Sequence, residues 1–98
     1  MARHIVEGKE IITWKAFHEF FAKEFGFPDY YGKNMDAWID CMSDPIEDDI
    51  INLVIRDVNY LKSKNREIYE SLIECSAFVN WRIAKDENQP VIALTFND

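Results

Sequence analysis

A β-branched apolar run constrains this chain more than any other feature. Ile50-Ile51-Asn52-Leu53-Val54-Ile55 shows little polar alternation. That is the pattern of a strand buried on both faces, as in parallel sheets. Val91-Ile92-Ala93-Leu94-Thr95-Phe96 reads as a second, final buried strand. Between them, Glu67 to Ala84 places Ile68, Leu72, Cys75, Val79 and Ile83 along the inner side of a helix. The Asp86 to Pro90 stretch is expected to form a turn.

The N-terminal half supplies the remaining elements. Ile5-Val6 before Gly8 predicts a short first strand and a turn. Thr13 is a helix N-cap, and Trp14, Phe17, Phe21 and Phe25 recur behind it at helical spacing. Gly26 and Pro28 stop that helix after Phe25. A second helix is expected from Asn34, as its cap, to Ser43, before Pro45. Arg56 to Asn65 is polar and ambiguous, with room for one helical turn around Val58 and Leu61. The resulting order, β-α-α-β-α-β, predicts an α/β fold with a small three-stranded parallel sheet packed against helices. At 98 residues, positions 1–98 form a single domain, large enough to need no metal or disulfide support.

Charge is distributed unevenly. Between Asp29 and Asp49, seven acids face Lys33 alone, a net of −6 in 21 residues, whereas the whole chain carries −7. A focused negative field attracts a positive partner and speeds its arrival. Acids outnumber bases and no basic stripe is apparent in the sequence, which argues against direct nucleic-acid binding. No stretch reaches the length of a membrane span, and no signal peptide is evident, so a cytoplasmic protein is expected. Cys41 and Cys75 are too few for a disulfide framework and are expected to be reduced, buried thiols.

The second helix sorts its residues by face. Met35, Trp38, Ile39 and Met42 fall together, while Asp36, Asp40 and Ser43 share a neighbouring, outward face. Asp36 and Asp40, four residues apart, repel each other, and no Lys or Arg within the helix offsets them. Tyr30 and Tyr31 stand at the start of this segment, and aromatics beside charge suit a protein-binding surface. Catalysis is disfavoured, because two carboxylates on one open helix face are not poised across a cleft. Asp44, Glu47, Asp48 and Asp49 lack EF-hand spacing, and His4 and His18 belong to no ligand motif, so neither metal nor cofactor is expected. His4 and His18 read as surface or half-buried side chains.

Phe27-Pro28-Asp29-Tyr30-Tyr31-Gly32-Lys33-Asn34-Met35-Asp36-Ala37-Trp38-Ile39-Asp40-Cys41-Met42 resembles the signature of the barstar family, intracellular inhibitors of barnase-type ribonucleases. The resemblance implies a non-enzymatic inhibitor that lays its second helix and the preceding loop over a basic, RNA-binding cleft; the exposed acidic face argues against a homodimer through it, so a monomer is expected when the protein is free. It implies that Asp40 stands in for a phosphate, that Asp36 pairs with neighbouring basic groups, that Tyr30 packs near the catalytic histidine and that Asn34 bonds at the rim. Ile39, Ser43 and Asp44 complete the expected contact set. Three departures stand out. Ile39 replaces a Trp found in the family's best-known member, and Ser43-Asp44-Pro45 replaces Thr-Gly-Trp. The Glu that the family can contribute from its last helix has no clear counterpart, with alternative placements near Ile83 and Asn80. The partner is therefore a basic ribonuclease or another toxin nuclease. A small acidic regulatory domain with a non-nuclease partner is the alternative from a different class.

Overall fold

A computed structural model describes residues 2–43, 50–84 and 92–98. Within them, β1 (Ala2–Glu7) leads through a 3-10 turn (Gly8–Glu10) to α1 (Trp14–Phe25) and α2 (Met35–Met42). Then follow β2 (Ile51–Arg56), α3 (Val58–Lys64), α4 (Arg66–Ala84) and β3 (Ile92–Phe96). The three strands form one parallel sheet in the order β1-β2-β3.

That sequential order has a consequence. Right-handed crossovers between strands added in one direction carry every helix over the same face of the sheet. The packing agrees: Val6, Leu53, Ile55 and Ile92, which share a face in the parallel register, join the core with residues of all four helices. On the other face Ile5, Val54 and Thr95 lie side by side. The centre of β2 is buried on both sides, as expected, because Leu53, Val54 and Ile55 are all inaccessible. Val54 nonetheless lies apart from the helix-side core, and its neighbour Ile5 remains 43% exposed.

The local signals in α1 act as expected. Thr13 Oγ1 accepts from the Ala16 N–H at 3.1 Å, and Gly26 terminates the helix in the left-handed region. The first strand is longer than Ile5-Val6, because Ala2 to Glu7 all pair with β2, and its helix-side His4 packs on Phe25 and donates to Glu24 at 2.8 Å. Asn65 caps α4 by accepting from the Ile68 N–H at 3.2 Å.

The polar stretch after Arg56 departs further from expectation. It forms a seven-residue helix rather than a single turn. Val58 and Leu61 enter the core, and the cap comes from the far end of the chain. Asn59 N–H donates to Asp98 Oδ1 at 3.2 Å, and the Asn59 amide reaches Asp98 Oδ2. The turn before it packs tightly on Gly8, where a Cβ would lie 2.4 Å from the Arg56 carbonyl oxygen.

Candidate functional site

The loop 27–34 and α2 are held in place from beneath. Trp38 is fully buried, and its ring meets Phe21 edge-on at 5.6 Å and Phe17 at 6.3 Å. Burying an aromatic of this size anchors a short helix that could not persist alone. Met42 is buried, and Met35 and Ile39 are half-buried against the same core. With that stripe turned inward, Asp36 and Asp40 are turned outward and exposed.

A second anchor fixes the loop. Tyr31 packs on Phe27 at 4.8 Å, and its hydroxyl lies 2.5 Å from His18 Nδ1 on α1. Burial, with a contribution from Lys33, lowers the His18 pKa, while burial above all raises that of Tyr31. The imidazole is thus neutral and the phenol protonated at pH 7, and with the His18 proton on Nε2 the Tyr31 hydroxyl donates to Nδ1. His18 is buried, not the surface or half-buried residue expected from sequence. It lies four residues from both Trp14 and Ala22, within the apolar stripe of α1, and that position was the missed signal.

The turn into α2 is built for presentation. Lys33 adopts φ 53°, in the left-handed region, and Asn34 then caps the helix by accepting from the Ala37 N–H at 2.8 Å. The Asn34 amide NH₂ also donates to the Gly32 carbonyl at 3.4 Å. Tyr30 projects beside this turn with 87% of its surface exposed. Ser43 ends the helix, its hydroxyl donating back to the Ile39 carbonyl at 2.6 Å. The expected contacts Tyr30, Asn34, Asp36 and Asp40 therefore share an exposed loop-and-helix surface, whereas Ile39 and Ser43 are half-buried at its edge. Asp44 lies outside the described residues, as do Glu47, Asp48 and Asp49.

Sequence spacing did not reveal the neighbour of this surface. Arg82, on α4, donates from Nη1 to Asp40 Oδ1 at 2.9 Å. The cation that offsets the acidic pair thus comes from 42 residues away, not from α2. Arg82 also stacks over the Phe78 ring at 5.4 Å, and Phe78 meets Trp81 at 5.7 Å. Asp36 lies near Cys75, two turns before Arg82 on α4, where burial, Glu74 and Asp36 raise the thiol pKa. Cys41 and Cys75 are half-buried, not the buried thiols expected from sequence.

Neither position considered for a last-helix contact is exposed. Ile83 is buried in the core. Asn80 is committed to the start of β3: its amide donates to the Ile92 carbonyl at 2.9 Å and accepts from the Ile92 N–H at 2.7 Å. Positive charge gathers elsewhere, with Lys9 and Lys64 over the Tyr60 ring at 5.4 and 5.6 Å. Among the described residues, no group of three or more His, Cys, Asp or Glu side chains converges as a metal site would, and no helix is long and apolar enough to cross a membrane.

A protein of Bacillus subtilis (strain 168) named "Putative ribonuclease inhibitor YrdF" is 35% identical over 43 residues, 44% of this chain and 47% of that protein. The chain therefore matches about half the length of that relative. The family model described as Barstar (barnase inhibitor) matches residues 1–95, almost the whole chain. Together with the three-stranded parallel sheet and its helices, this match assigns the protein to the Barstar family.

Proposed function

We propose that this protein, a single domain acting in the cytoplasm, inhibits a basic ribonuclease by covering its active-site cleft with the loop 27–34 and α2. The observation that carries the reading is the outward presentation of Asp36 and Asp40 on a helix pinned by a fully buried Trp38. Carboxylates at fixed positions mimic the phosphates that such a cleft binds, and Arg side chains recognise either group through paired hydrogen bonds. Tyr30 adds a large, exposed aromatic of the kind enriched at binding hot spots. The protein performs no chemistry in this account; it competes with RNA for the cleft.

Titrating the protein into an RNA-cleavage reaction run by a barnase-type ribonuclease tests the reading. Activity should fall in proportion to added protein, and Asp40→Ala should weaken inhibition far more than a substitution remote from α2. Full RNA cleavage at a large molar excess of the wild-type protein would contradict it. The Asp40–Arg82 pair also favours a second reading, inhibition of a toxin nuclease of another fold, because a cation held against Asp40 does not suit a uniformly basic cleft.

A further inference from the structure

The exposed strip of α4 beside Asp40 has the composition of an interface core. Trp81 is 57% exposed and Phe78 44%, unusually high for large aromatics. The two rings touch each other, and the Arg82 guanidinium lies over Phe78. Trp, Arg and other aromatics are the residues most enriched where binding energy concentrates. The strip is also continuous with the proposed inhibitory surface, because the same Arg82 holds Asp40.

We propose that Phe78, Trp81 and Arg82 form a second half of the nuclease-binding surface, engaging the same partner outside its basic cleft. The contact there is of different chemistry: an apolar patch to cover the two rings, and a carboxylate or backbone carbonyl to accept from Arg82. This inference rests on the proposed function and adds the partner's second feature. The geometry of the pair supports it. Arg82 engages Asp40 through one nitrogen, so the rest of its planar fork of N–H donors can meet a partner acceptor. Side-chain exposures of 45% for Arg82 and 72% for Asp40 leave both groups reachable. An exposed ion pair adds little stability of its own, so contact with a partner can rearrange it readily. Charge complementarity then selects among nucleases, since a partner with a cation opposite Arg82 is repelled.

The test measures association and dissociation rates with a barnase-type ribonuclease for wild type, Trp81→Ala, Arg82→Lys and Asp40→Ala. Circular dichroism confirms that each variant folds. Trp81→Ala should speed dissociation at least tenfold with association little changed. Arg82→Lys keeps the charge but loses the planar fork, and should also speed dissociation. Fluorescence supplies an independent readout, because Trp38 is buried, Trp14 half-buried and Trp81 exposed. Quenching by acrylamide should fall on complex formation and be insensitive to it in Trp81→Phe. If Asp40→Ala weakens binding while Trp81→Ala and Arg82→Lys leave dissociation unchanged, the strip lies outside the interface and this inference fails alone. A concentration-dependent dimer abolished by Trp81→Ala would assign the strip to self-association and also overturn it. If wild type does not bind the ribonuclease, the proposed function fails and the inference with it.

Discussion

The Tyr31 hydroxyl lies 2.5 Å from Nδ1 of His18, joining the loop before α2 to the buried face of α1. This bond makes the presenting loop part of the core. Tyr31→Phe leaves His18 buried without its hydrogen-bond partner, a change that costs about 1–3 kcal/mol. Chemical denaturation should show that loss, with a parallel weakening of partner binding as the loop loosens.

The same pair predicts a stability window in pH. The folded His18 pKa is depressed below its ordinary 6.5, so the unfolded chain binds the proton more readily and stability falls as pH drops below about 6.5. The folded Tyr31 pKa is raised above its ordinary 10.0, so the folded state keeps its proton longer. Stability therefore also falls as pH rises above about 10. Unfolding midpoints measured across pH should form a plateau between these limits. His18→Gln, whose carbonyl can still accept from Tyr31, should flatten the acid side; an unchanged acid slope would show that other groups cause it.

Lys33 is a base in an acidic segment and holds a positive φ that side chains disfavour. Lys33→Gly removes a strain of about 1–2 kcal/mol, partly offset by the flexibility glycine gives the unfolded chain. Stability should stay level or rise slightly. Association with a basic partner should accelerate, and the His18 imidazole resonances should titrate at higher pH once the nearby ammonium is gone.

Gly8 and Gly26 should respond differently to alanine. At Gly8 the new methyl would meet the Arg56 and Asp57 carbonyl oxygens at 2.4 and 2.8 Å, both backbone atoms that cannot turn aside. Overpacking of this kind costs about 1–3 kcal/mol. At Gly26 space is open and only the left-handed backbone resists, at about 1 kcal/mol. Thermal unfolding of the two variants should rank Gly8→Ala as the more damaging.

Cys75 should react slowly in the folded protein. Burial, Glu74 and Asp36 all raise its pKa, and the thiolate is the reactive form. Alkylation near pH 7.5 should be slow for the folded chain and fast in denaturant, and reductant should change neither stability nor binding.

Features fixed by neighbours in sequence were legible before the structure. Thr13 and Gly26 set the limits of α1, Asn34 set the start of α2, and the unbroken apolar runs announced the parallel strands. Features made by distant residues were not. α3 looked like a polar connection because part of its cap, Asp98, lies 39 residues beyond Asn59. His18 looked isolated because its partner Tyr31 arrives only when the loop folds back on α1. Arg82 was invisible as a neighbour of Asp40 because helical spacing reports contacts within one helix, and this contact joins two.

The central claim is that Asp40 makes a desolvated contact at the heart of a charge-steered interface. It is tested most directly by measuring binding of wild type and Asp40→Ala to a basic ribonuclease over a range of salt concentrations. Wild-type association should slow steeply with salt while dissociation changes little. Asp40→Ala should lose at least about 2 kcal/mol of binding, mainly through faster dissociation. Salt-independent association, together with an Asp40→Ala affinity equal to wild type, would contradict the account.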